Sequence, residues 1–498
     1  MKKFFLLPLL FLLVFTLHSQ NLAQQVKEFD AYIETSRKLF EIPGLAVTVV
    51  KDGKVILSKG YGVRQLGTNQ LVDSKTLFAC ASTTKAMTAT CLGMLVDEGK
   101  VKWDDPVINY LPSFQLYDPY VTRELKIRDL LTHNSGVGNA DFLWSIMNIP
   151  SDEVLVKMKM VEPSYSLRSS FIYQNIFYLA AGKVIEKVSG VPWETFIQKR
   201  IFDPLTMTRT FPLLSQVKDV NQSQPHYIVD NKITVIERTS ADAIGPAGSV
   251  WSCADDMAKW AICMLDSSKY AGGRLVKAAT WNEIFKPQVM VTASQFYPTA
   301  QLTKPSWTTY GFGWFQQDYR GRKINFHTGS LAGETAIHAQ LPSEKLAIYV
   351  FGNLDHAEVR HALMFKAFDH FALGGTRDWS AELNSLYKKI SAAGDMAEKK
   401  MEAARVTGTS PSHPLAQYEG TYADALYGEL VVTLKDNALL INLNNTAKAT
   451  LAHWNYDTFR GYYETRWWGQ TAATFETNPS GKIQSVMIEG MEFTRSNK

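Results

Sequence analysis

A serine and a lysine three residues apart are the pair in this chain best suited to chemistry. They form the run Ser82-Thr-Thr-Lys85, and Lys85 is the only charged residue between Lys75 and Asp97. On a helix, residues at this spacing share a face, so the hydroxyl and the amine can share a proton. Apolar surroundings disfavour the charged form of a lysine, which makes it a usable base at neutral pH. The pair therefore predicts a serine nucleophile activated by a lysine.

The same spacing also has a purely structural interpretation, in which the serine caps a helix and the lysine extends to water. Ser-x-x-Lys recurs at Ser385-Leu-Tyr-Lys388, beside charged residues such as Glu382, where a solvated surface lysine is expected. The first copy differs because residues 83–96 are apolar or small nearly all round. That pattern is typical of a helix buried in a large core and favours chemistry there.

A tyrosine and an asparagine two residues apart form a second polar group within an apolar run. The segment is Phe171-Ile-Tyr173-Gln-Asn175, and it leads into a helical pattern that continues through Ala181. A phenol can relay a proton to a leaving group, and an amide can bind a substrate carbonyl. The alternative is a buried tyrosine that makes one structural hydrogen bond.

A third segment, Ile324-Asn-Phe-His327-Thr328-Gly329-Ser330, predicts a strand that ends in small residues. Such a strand beside a cleft can bind an extended substrate, and its N–H groups can stabilise an oxyanion. A histidine with a pKa of about 6.5 is mostly neutral at pH 7 and attracts a carboxylate less than a lysine does. The alternative is an edge strand with a satisfied histidine.

Two hairpin patterns flank a long, largely helical stretch. The first joins residues 45–50 and 55–61, the second joins residues 336–341 and 347–351, and both lie within residues 44–373. Strands at both ends with helices between them predict an antiparallel sheet closed by both ends of the domain, with a helical insertion. The fold class is therefore mixed α/β, of the α+β kind.

The last part of the chain has a different pattern. A charged helical stretch at residues 379–405 is followed by short alternating strands at residues 429–434, 439–443, 471–475 and 483–488. These strands predict a small β-barrel-like domain. The expected domains are a signal peptide at 1–22, a main domain at 23–375, a helical linker at 376–413 and a β-rich domain at 414–498.

The first residues resemble an export signal. Met1-Lys-Lys is followed by an apolar run that ends before His18, which is short for a membrane span. This pattern predicts cleavage between Ser19 and Ala23 and export to the periplasm or the medium, with no stable membrane anchor. The alternative is an anchor that stays uncleaved.

Composition and cysteine spacing exclude several classes of protein. The chain has 498 residues, 46% of them hydrophobic, and a formal net charge of +4, which does not favour nucleic-acid binding. Cys253 and Cys263 lie on one predicted helix, about 15 Å apart along its axis, so four free thiols are expected. No metal site is expected, because His356, His361 and His370 lack the spacing of helical metal ligands, and no other cofactor is expected either.

The three motifs, in this order, resemble the β-lactamase-related serine hydrolases. That family includes class C β-lactamases, Streptomyces-type D-Ala-D-Ala carboxypeptidases, D-aminopeptidases and β-lactamase-like esterases. The resemblance spans residues 43–373 and extends through residues 130–136, 245–252 and 310–314. The tail looks like the β-barrel module found behind such domains. The resemblance implies the β-lactamase/transpeptidase-like fold.

The resemblance also assigns roles to residues. Ser82 is the nucleophile, Lys85 and Tyr173 handle protons, and Asn175 contacts a substrate amide. The segment from His327 through Thr328 and Gly329 to Ser330 contacts substrate, and the N–H groups of Ser82 and Ser330 form the oxyanion hole. The implied reaction is acylation of the serine by an amide, ester or lactam, followed by hydrolysis.

Class C β-lactamases carry a lysine where this chain has His327. This difference favours a peptidase or esterase that acts on small D-amino-acid or acyl substrates. The alternatives are a class C-like β-lactamase, a penicillin-binding sensor that is acylated without turnover, and an inactive scaffold. An α/β-hydrolase is disfavoured because the chain has no Gly-x-Ser-x-Gly. The partner is a small molecule or short peptide, and the sequence leaves the exact substrate and the oligomeric state open.

Overall fold

The structure is a computed structural model that describes residues 6–147 and 149–496. Its helices are Leu6–Leu39 (α1), Thr84–Asp97 (α2), Pro119–Glu124 (α3), Asp129–Thr132 (α4), Phe142–Ser145 (α5), Ser151–Lys157 (α6), Asn175–Ser189 (α7), Trp193–Ile197 (α8), Gly245–Gly248 (α9), Ala254–Leu265 (α10), Ala278–Ile284 (α11), Ala300–Thr303 (α12), Val359–Phe368 (α13) and Trp379–Ala403 (α14).

The strands of the first 352 residues are Gly44–Lys51 (β1), Lys54–Gly62 (β2), Phe78–Ala79 (β3), His226–Val229 (β4), Lys232–Val235 (β5), Trp251–Ser252 (β6), Lys269–Tyr270 (β7), Gly273–Arg274 (β8), Val289–Met290 (β9), Thr308–Tyr310 (β10), Phe315–Tyr319 (β11), Arg322–Leu331 (β12), Glu334–Leu341 (β13) and Leu346–Gly352 (β14). Those that follow are Gly420–Asp424 (β15), Gly428–Lys435 (β16), Ala438–Leu443 (β17), Ala447–Asn455 (β18), Thr458–Tyr463 (β19), Gln470–Thr477 (β20), Ile483–Ile488 (β21) and Met491–Arg495 (β22).

An eight-stranded antiparallel sheet forms the centre of the main domain, in the order β2-β1-β14-β13-β12-β11-β10-β9. The first and last hairpins meet at the second and third strands of this order, where Thr48 of β1 pairs with Tyr349 of β14. Helices α2 to α12 lie in the chain between these hairpins. The predicted sheet closed by both ends of the domain, with a helical insertion, is therefore confirmed.

Alternate residues of each central strand face two separate cores. Ile348 and Val350 of β14 pack into the core that contains Phe29 of α1 and Trp379 of α14. The neighbouring residues of β14, Tyr349 among them, pack into the core formed by the helical insertion. The sheet is therefore buried on both faces here, which explains why β1 and β14 are apolar at most positions.

A closed barrel of eight antiparallel strands, β15 to β22, forms the C-terminal part. It closes where Tyr422 of β15 pairs with Arg495 of β22. Aromatic side chains such as Tyr418, Phe459 and Phe475 pack edge to face in its interior. The predicted barrel is confirmed, and its interior is filled with side chains.

The predicted signal peptide overlaps the first helix. Residues 1–5 of it lie outside the described residues, and α1 is continuous through the predicted cleavage region. Phe29 and Ile33, further along α1, are buried against the sheet. Within the part of the chain that the structure describes, no helix is long and apolar enough to cross a membrane.

All four cysteines are buried and free, as predicted. Cys253 directly precedes α10, and Cys263 lies within it. The exact domain boundaries stay predictions.

The two-sided burial of the sheet predicts where a valine matters. Val350 is 1% exposed between Val47 and Ile337, whereas Val55 on the edge strand β2 is 45% exposed. We expect Val350→Ala to lower the free energy of unfolding by about 2–3 kcal/mol, because it removes buried methyl groups and leaves a cavity. Val55→Ala, the same substitution at the surface, should change it by less than about 0.5 kcal/mol. Urea unfolding followed by tryptophan fluorescence measures both, and equal losses would contradict the assignment of the core.

Candidate active site

Ser82 lies in a 3-10 turn, Ala81–Thr83, that leads directly into α2. The turn is tightly held, because Thr83 Oγ1 donates to the carbonyl of Cys80 at 2.9 Å and Cys80 N donates to Val250 O at 2.8 Å. Ala81 has a φ of 46°, a left-handed conformation that is unfavourable for a residue with a side chain. Such strain persists only where the surroundings enforce it, and it often occurs at functional sites.

Lys85 lies one turn further along α2 and is fully buried. Its Nζ is 2.6 Å from Asn175 Oδ1 and 2.9 Å from Ala247 O, and these two oxygens can only accept hydrogen bonds. The third neighbour is Ser82 Oγ at 2.9 Å. A neutral amine has two N–H groups, which the two carbonyl oxygens satisfy, so its lone pair faces the serine hydroxyl.

Burial lowers the pKa of Lys85 from 10.5 to about 7, and the negative charge of Asp141 opposes this shift. Burial is the larger of the two effects, because a cation loses most of its hydration there. His133 and His327, which also face the amine, have pKa values that burial and Lys85 itself lower. At neutral pH a substantial fraction of the amine is therefore uncharged, as the predicted base requires.

Tyr173 and Asn175 come from the segment that leads into α7. The Tyr173 ring centroid is 4.8 Å from Lys85 Nζ. Burial raises the pKa of Tyr173 well above its usual value, although its contact with Ser82 acts in the opposite direction. The phenol is therefore protonated at neutral pH and can give a proton, while Lys85 is the group able to take one.

The amide of Asn175 has a fixed orientation. Its Nδ2 donates to Asp141 Oδ2 at 2.7 Å, so its Oδ1 points at the Lys85 amine. The carboxylate thus determines which end of the amide meets the lysine. The predicted contact between Asn175 and a substrate amide stays a prediction, because both ends of its side chain already have protein partners.

Strand β12 forms the opposite wall of the site. A Cβ on Gly329 would lie 2.2 Å from the carbonyl oxygen of Cys80, so only glycine lets the strand pass this close to the turn that carries Ser82. Ser330, the next residue, is exposed beside the cleft. Thr328 Oγ1 is 2.6 Å from Tyr297 OH, and this hydrogen bond holds both side chains in place beside the cleft.

His327 is buried in this wall. Its Nδ1 donates to the carbonyl of Thr328 at 2.6 Å, so Nε2 carries no proton and accepts from Tyr310 OH at 2.9 Å. Burial lowers its pKa to about 3, with Lys85 adding to the shift. The imidazole is therefore neutral at physiological pH, as the sequence predicts, and its direct contact with substrate stays a prediction.

These groups surround a cleft of about 390 Å³. Six of the eight predicted site residues line it: Ser82, Tyr173, Asn175, His327, Thr328 and Ser330. The other two lie directly behind the cleft surface, with Lys85 below Ser82 and Gly329 within β12. The structure thus brings all eight residues together, while their individual catalytic roles stay predictions.

Two residues of the site were not predicted as functional. Asp141 lines the cleft and holds Asn175, and His133 accepts a hydrogen bond from Gln174 N at 3.0 Å beside the Tyr173 ring. A signal for Asp141 exists, since it is the only charged residue between Asp129 and Asp152. The isolation of a charge in an apolar stretch, which drew attention to Lys85, applies here as well.

Comparison with known families agrees with this geometry. A family model described as Beta-lactamase matches residues 29–369. The chain belongs to the β-lactamase family. Members of this family are typically serine hydrolases, and the resemblance drawn from the three motifs is confirmed. A second model, described as a domain of unknown function (DUF3471), matches residues 404–498 of this β-lactamase-family chain, which include the barrel.

Curated relatives include a fungal hydrolase and a bacterial protein. The chain is 25% identical over 496 residues to unguisins hydrolase ungD of Aspergillus violaceofuscus, which covers 93% of this chain and 87% of that protein. It is 24% identical over 338 residues to protein flp of Staphylococcus aureus, which covers 66% of this chain and 63% of that protein.

Solved structures share the fold. The octameric penicillin-binding protein homologue from Pyrococcus abyssi matches with a TM-score of 0.62 and 20% identity, over 94% of this chain and all (100%) of that one. SurE matches with a TM-score of 0.58 and 18% identity, over 95% and 99%. A D-stereospecific amidohydrolase from Streptomyces sp. matches with a TM-score of 0.56 and 22% identity, over 69% and 99%.

The lowered pKa of Lys85 predicts the pH dependence of the reaction. The base works only when neutral, so kcat/KM should rise with pH and level off above about 7. Asp141→Asn should move this limb to lower pH, because the lost negative charge no longer stabilises the protonated amine. The measurement is kcat/KM for a chromogenic ester between about pH 5 and about pH 9.

Asp152→Asn is the matched control, since that carboxylate is 85% exposed, and it should leave the profile unchanged. A kcat/KM that still rises at about pH 9, as an unperturbed lysine with a pKa of about 10.4 would give, would contradict the role of Lys85 as the base.

Proposed function

We propose that this chain is an exported serine hydrolase that cleaves amide or ester bonds of small peptide or acyl substrates, of the D-amino-acid peptidase or esterase type. The observation that carries the proposal is the buried Lys85 amine, whose two N–H donors face carbonyl oxygens and whose remaining position faces Ser82 Oγ at 2.9 Å. Such an amine can take the proton of the hydroxyl as the oxygen attacks a carbonyl.

The proposed reaction has two halves. In the first, Ser82 Oγ attacks the substrate carbonyl, Lys85 takes the serine proton, and the N–H groups of Ser82 and Ser330 stabilise the oxyanion. Tyr173 gives a proton to the leaving amine or alcohol, the proton held by Lys85 replaces it on the phenol, and an acyl-Ser82 ester remains. In the second half, Lys85 takes a proton from a water molecule as the water attacks the ester, and this proton passes to Ser82 Oγ as the acid is released.

The charges around the cleft favour a substrate with an ammonium group over one with a carboxylate. Asp141 is the only carboxylate among the described residues that line the cleft. His327 supplies no positive charge, because burial lowers its pKa to about 3. The guanidinium of Arg360, behind β12, is 4% exposed and pairs with Glu358 at 3.2 Å. A free α-amine beside the scissile carbonyl therefore fits this cleft better than the carboxylate of a β-lactam does.

The proposed D-amino-acid type has support from structures that share the fold. One of them is a D-stereospecific amidohydrolase, and another is SurE with D-Leu. The relative ungD is named a hydrolase of unguisins. These names are consistent with amide cleavage.

The first test is turnover of D-alanine p-nitroanilide by the purified protein. Ser82→Ala should lower kcat about 10⁴-fold or more, because the nucleophile is lost. Ser385→Ala, the serine of the second Ser-x-x-Lys run, should leave kcat unchanged. N-acetylation of the substrate should lower kcat/KM by about tenfold, a loss of about 1.4 kcal/mol of binding to the carboxylate.

The same assays separate the alternatives. A burst that releases one molecule of product per molecule of protein, with no further turnover, would favour a penicillin-binding sensor. Efficient hydrolysis of nitrocefin without cleavage of the anilide would favour a class C-like β-lactamase. Labelling by a fluorophosphonate that persists in Ser82→Ala would overturn the assignment of the nucleophile.

Export is proposed from the basic start and the apolar run of residues 1–22. If the full chain is expressed in a Gram-negative bacterium, the mature protein should appear in the periplasm with a new N-terminus between Ser19 and Ala23. Lys2→Glu with Lys3→Glu should retain it in the cytoplasm, because the basic region is lost. N-terminal sequencing of the fractionated protein tests this, and an intact N-terminus in the membrane fraction would instead indicate an uncleaved anchor.

A further inference from the structure

The C-terminal barrel contacts the segment that carries Asp141. The docking loop, residues 424–428, connects β15 to β16 and includes the last residue of β15 and the first of β16. It lies against the Asp141 segment, residues 139–146. The Tyr427 ring packs edge to face on Phe142, with centroids 6.0 Å apart and planes at 90°. Ile146 of the same segment also packs against the barrel core. Part of the surface of the Asp141 segment, at Phe142 and Ile146, is therefore covered by the barrel.

A lysine of the helical insertion also contacts the docking loop. Lys157 Nζ donates to the carbonyls of Ala425 at 3.1 Å and Leu426 at 3.0 Å. Leu426 and Tyr427 are half-buried and pack against the core of the main domain. The contact thus combines apolar packing with hydrogen bonds to an ionised group, which are stronger than neutral ones.

Hydrogen bonds within the docking loop and from a neighbouring strand connection hold its backbone in place. Asp424 Oδ1 accepts from the backbone N–H groups of Leu426 at 2.8 Å and Tyr427 at 2.7 Å. Asn444 Nδ2, from the neighbouring strand connection, donates to Tyr427 O at 2.6 Å. The Tyr427 ring is therefore presented to Phe142 by a fixed backbone.

The cleft side of the Asp141 segment contacts the catalytic groups. Asn139 Nδ2 donates to the carbonyl of Tyr173 at 3.1 Å, and Asp141 Oδ2 accepts from Asn175 Nδ2 at 2.7 Å. Trp144 Nε1 donates to Asp141 Oδ1 at 3.0 Å, so both carboxylate oxygens are held. A displacement of this segment would release the backbone of Tyr173 and the amide of Asn175 together.

The Asp141 segment has little stability of its own. Its helix α5 has only four residues, and helices this short are unstable in water without tertiary contacts. Phe142 and Ile146 are half-buried, and part of the surface that covers them belongs to the barrel. The order of the segment therefore depends on the barrel as well as on the main domain.

We propose that Tyr427 is a positioning residue for the reaction, because its packing on Phe142 holds Asp141 where it orients the Asn175 amide toward Lys85. The proposal rests on the proposed function, since it assigns the barrel to the support of that same site. The contacts run from Tyr427 to Phe142, then through the backbone to Asp141, and from its carboxylate to Asn175. The barrel thereby acts as a structural part of the active site.

The test is Tyr427→Ala in the full-length protein. Loss of the ring should lower kcat about tenfold to hundredfold, because small displacements of catalytic groups have effects of this size. The acid limb of the kcat/KM profile should also move to lower pH, since a displaced Asp141 stabilises the protonated Lys85 less. His133 and His327 stay neutral and do not add to this shift. Tyr427→Phe keeps the ring and should restore both kcat and the profile.

Two controls separate this contact from general effects on the barrel. Tyr456→Ala removes a tyrosine that is 59% exposed on the barrel, away from the docking loop. Arg466→Ala removes the ion pair with Asp230, at 2.9 Å, which joins the barrel to the β4–β5 hairpin. Both should leave kcat and the pH profile unchanged, because exposed ion pairs and single exposed side chains contribute little.

The outcomes distinguish this proposal from the proposed function. If the unmodified protein is not labelled at Ser82 by a fluorophosphonate, the proposed function fails. If it is labelled but Tyr427→Ala gives the same labelling rate, kcat and pH profile, Tyr427 is not a positioning residue. Circular dichroism verifies the fold of each variant. If Tyr427→Ala does not fold, Lys157→Ala, which removes the hydrogen bonds to the docking loop, carries the same expectation and the same contrary result.

Discussion

The burial of one amine is the constraint on which the rest of the active site depends. Lys85 is surrounded by protein, and its charged form is disfavoured strongly enough to lower its pKa to about 7. Two carbonyl oxygens, those of Asn175 and Ala247, determine where its N–H groups point. The remaining position on the nitrogen, its lone pair when the amine is neutral, points to Ser82 Oγ. Geometry and electrostatics thus act together, because the same surrounding groups that favour the neutral amine also orient it toward Ser82.

The acceptors around this amine come from parts of the chain that are far apart. Asn175 lies at the start of α7, Ala247 lies in α9, and Ser82 precedes α2. The antiparallel sheet brings β12 against the serine turn, where Gly329 permits the close approach. The two cores on either side of the sheet hold these elements rigidly, as a catalytic geometry requires. Asp141 limits the decrease in the pKa of Lys85, since its negative charge opposes the effect of burial.

Much of the fold was predictable from local patterns. Hairpins and the buried helix α2 depend on residues close together in sequence, and their bounds agree with the prediction within about two residues. Four barrel strands, β15, β18, β19 and β22, were not predicted. The core-facing positions 447 and 449 of β18 are alanines, whose short side chains give a weaker apolar signal than larger residues do, and β19 contains a glycine at 461 because a Cβ there would lie 1.9 Å from Thr450 O. Weak side-chain contrast and an internal glycine both reduce the strand signal.

The candidate site divides in the same way. The sequence by itself determined that Ser82 and Lys85 share a face, because helical spacing is a local property, and that Lys85 is isolated from other charges. Only the tertiary structure decided which groups surround the amine, since Asn175, Ala247 and Asp141 meet it across long stretches of chain. It also decided that His327 is fully enclosed and that the barrel packs behind Asp141. Burial and contact between distant segments are properties of the folded chain, and they determine the pKa values and orientations on which the chemistry depends.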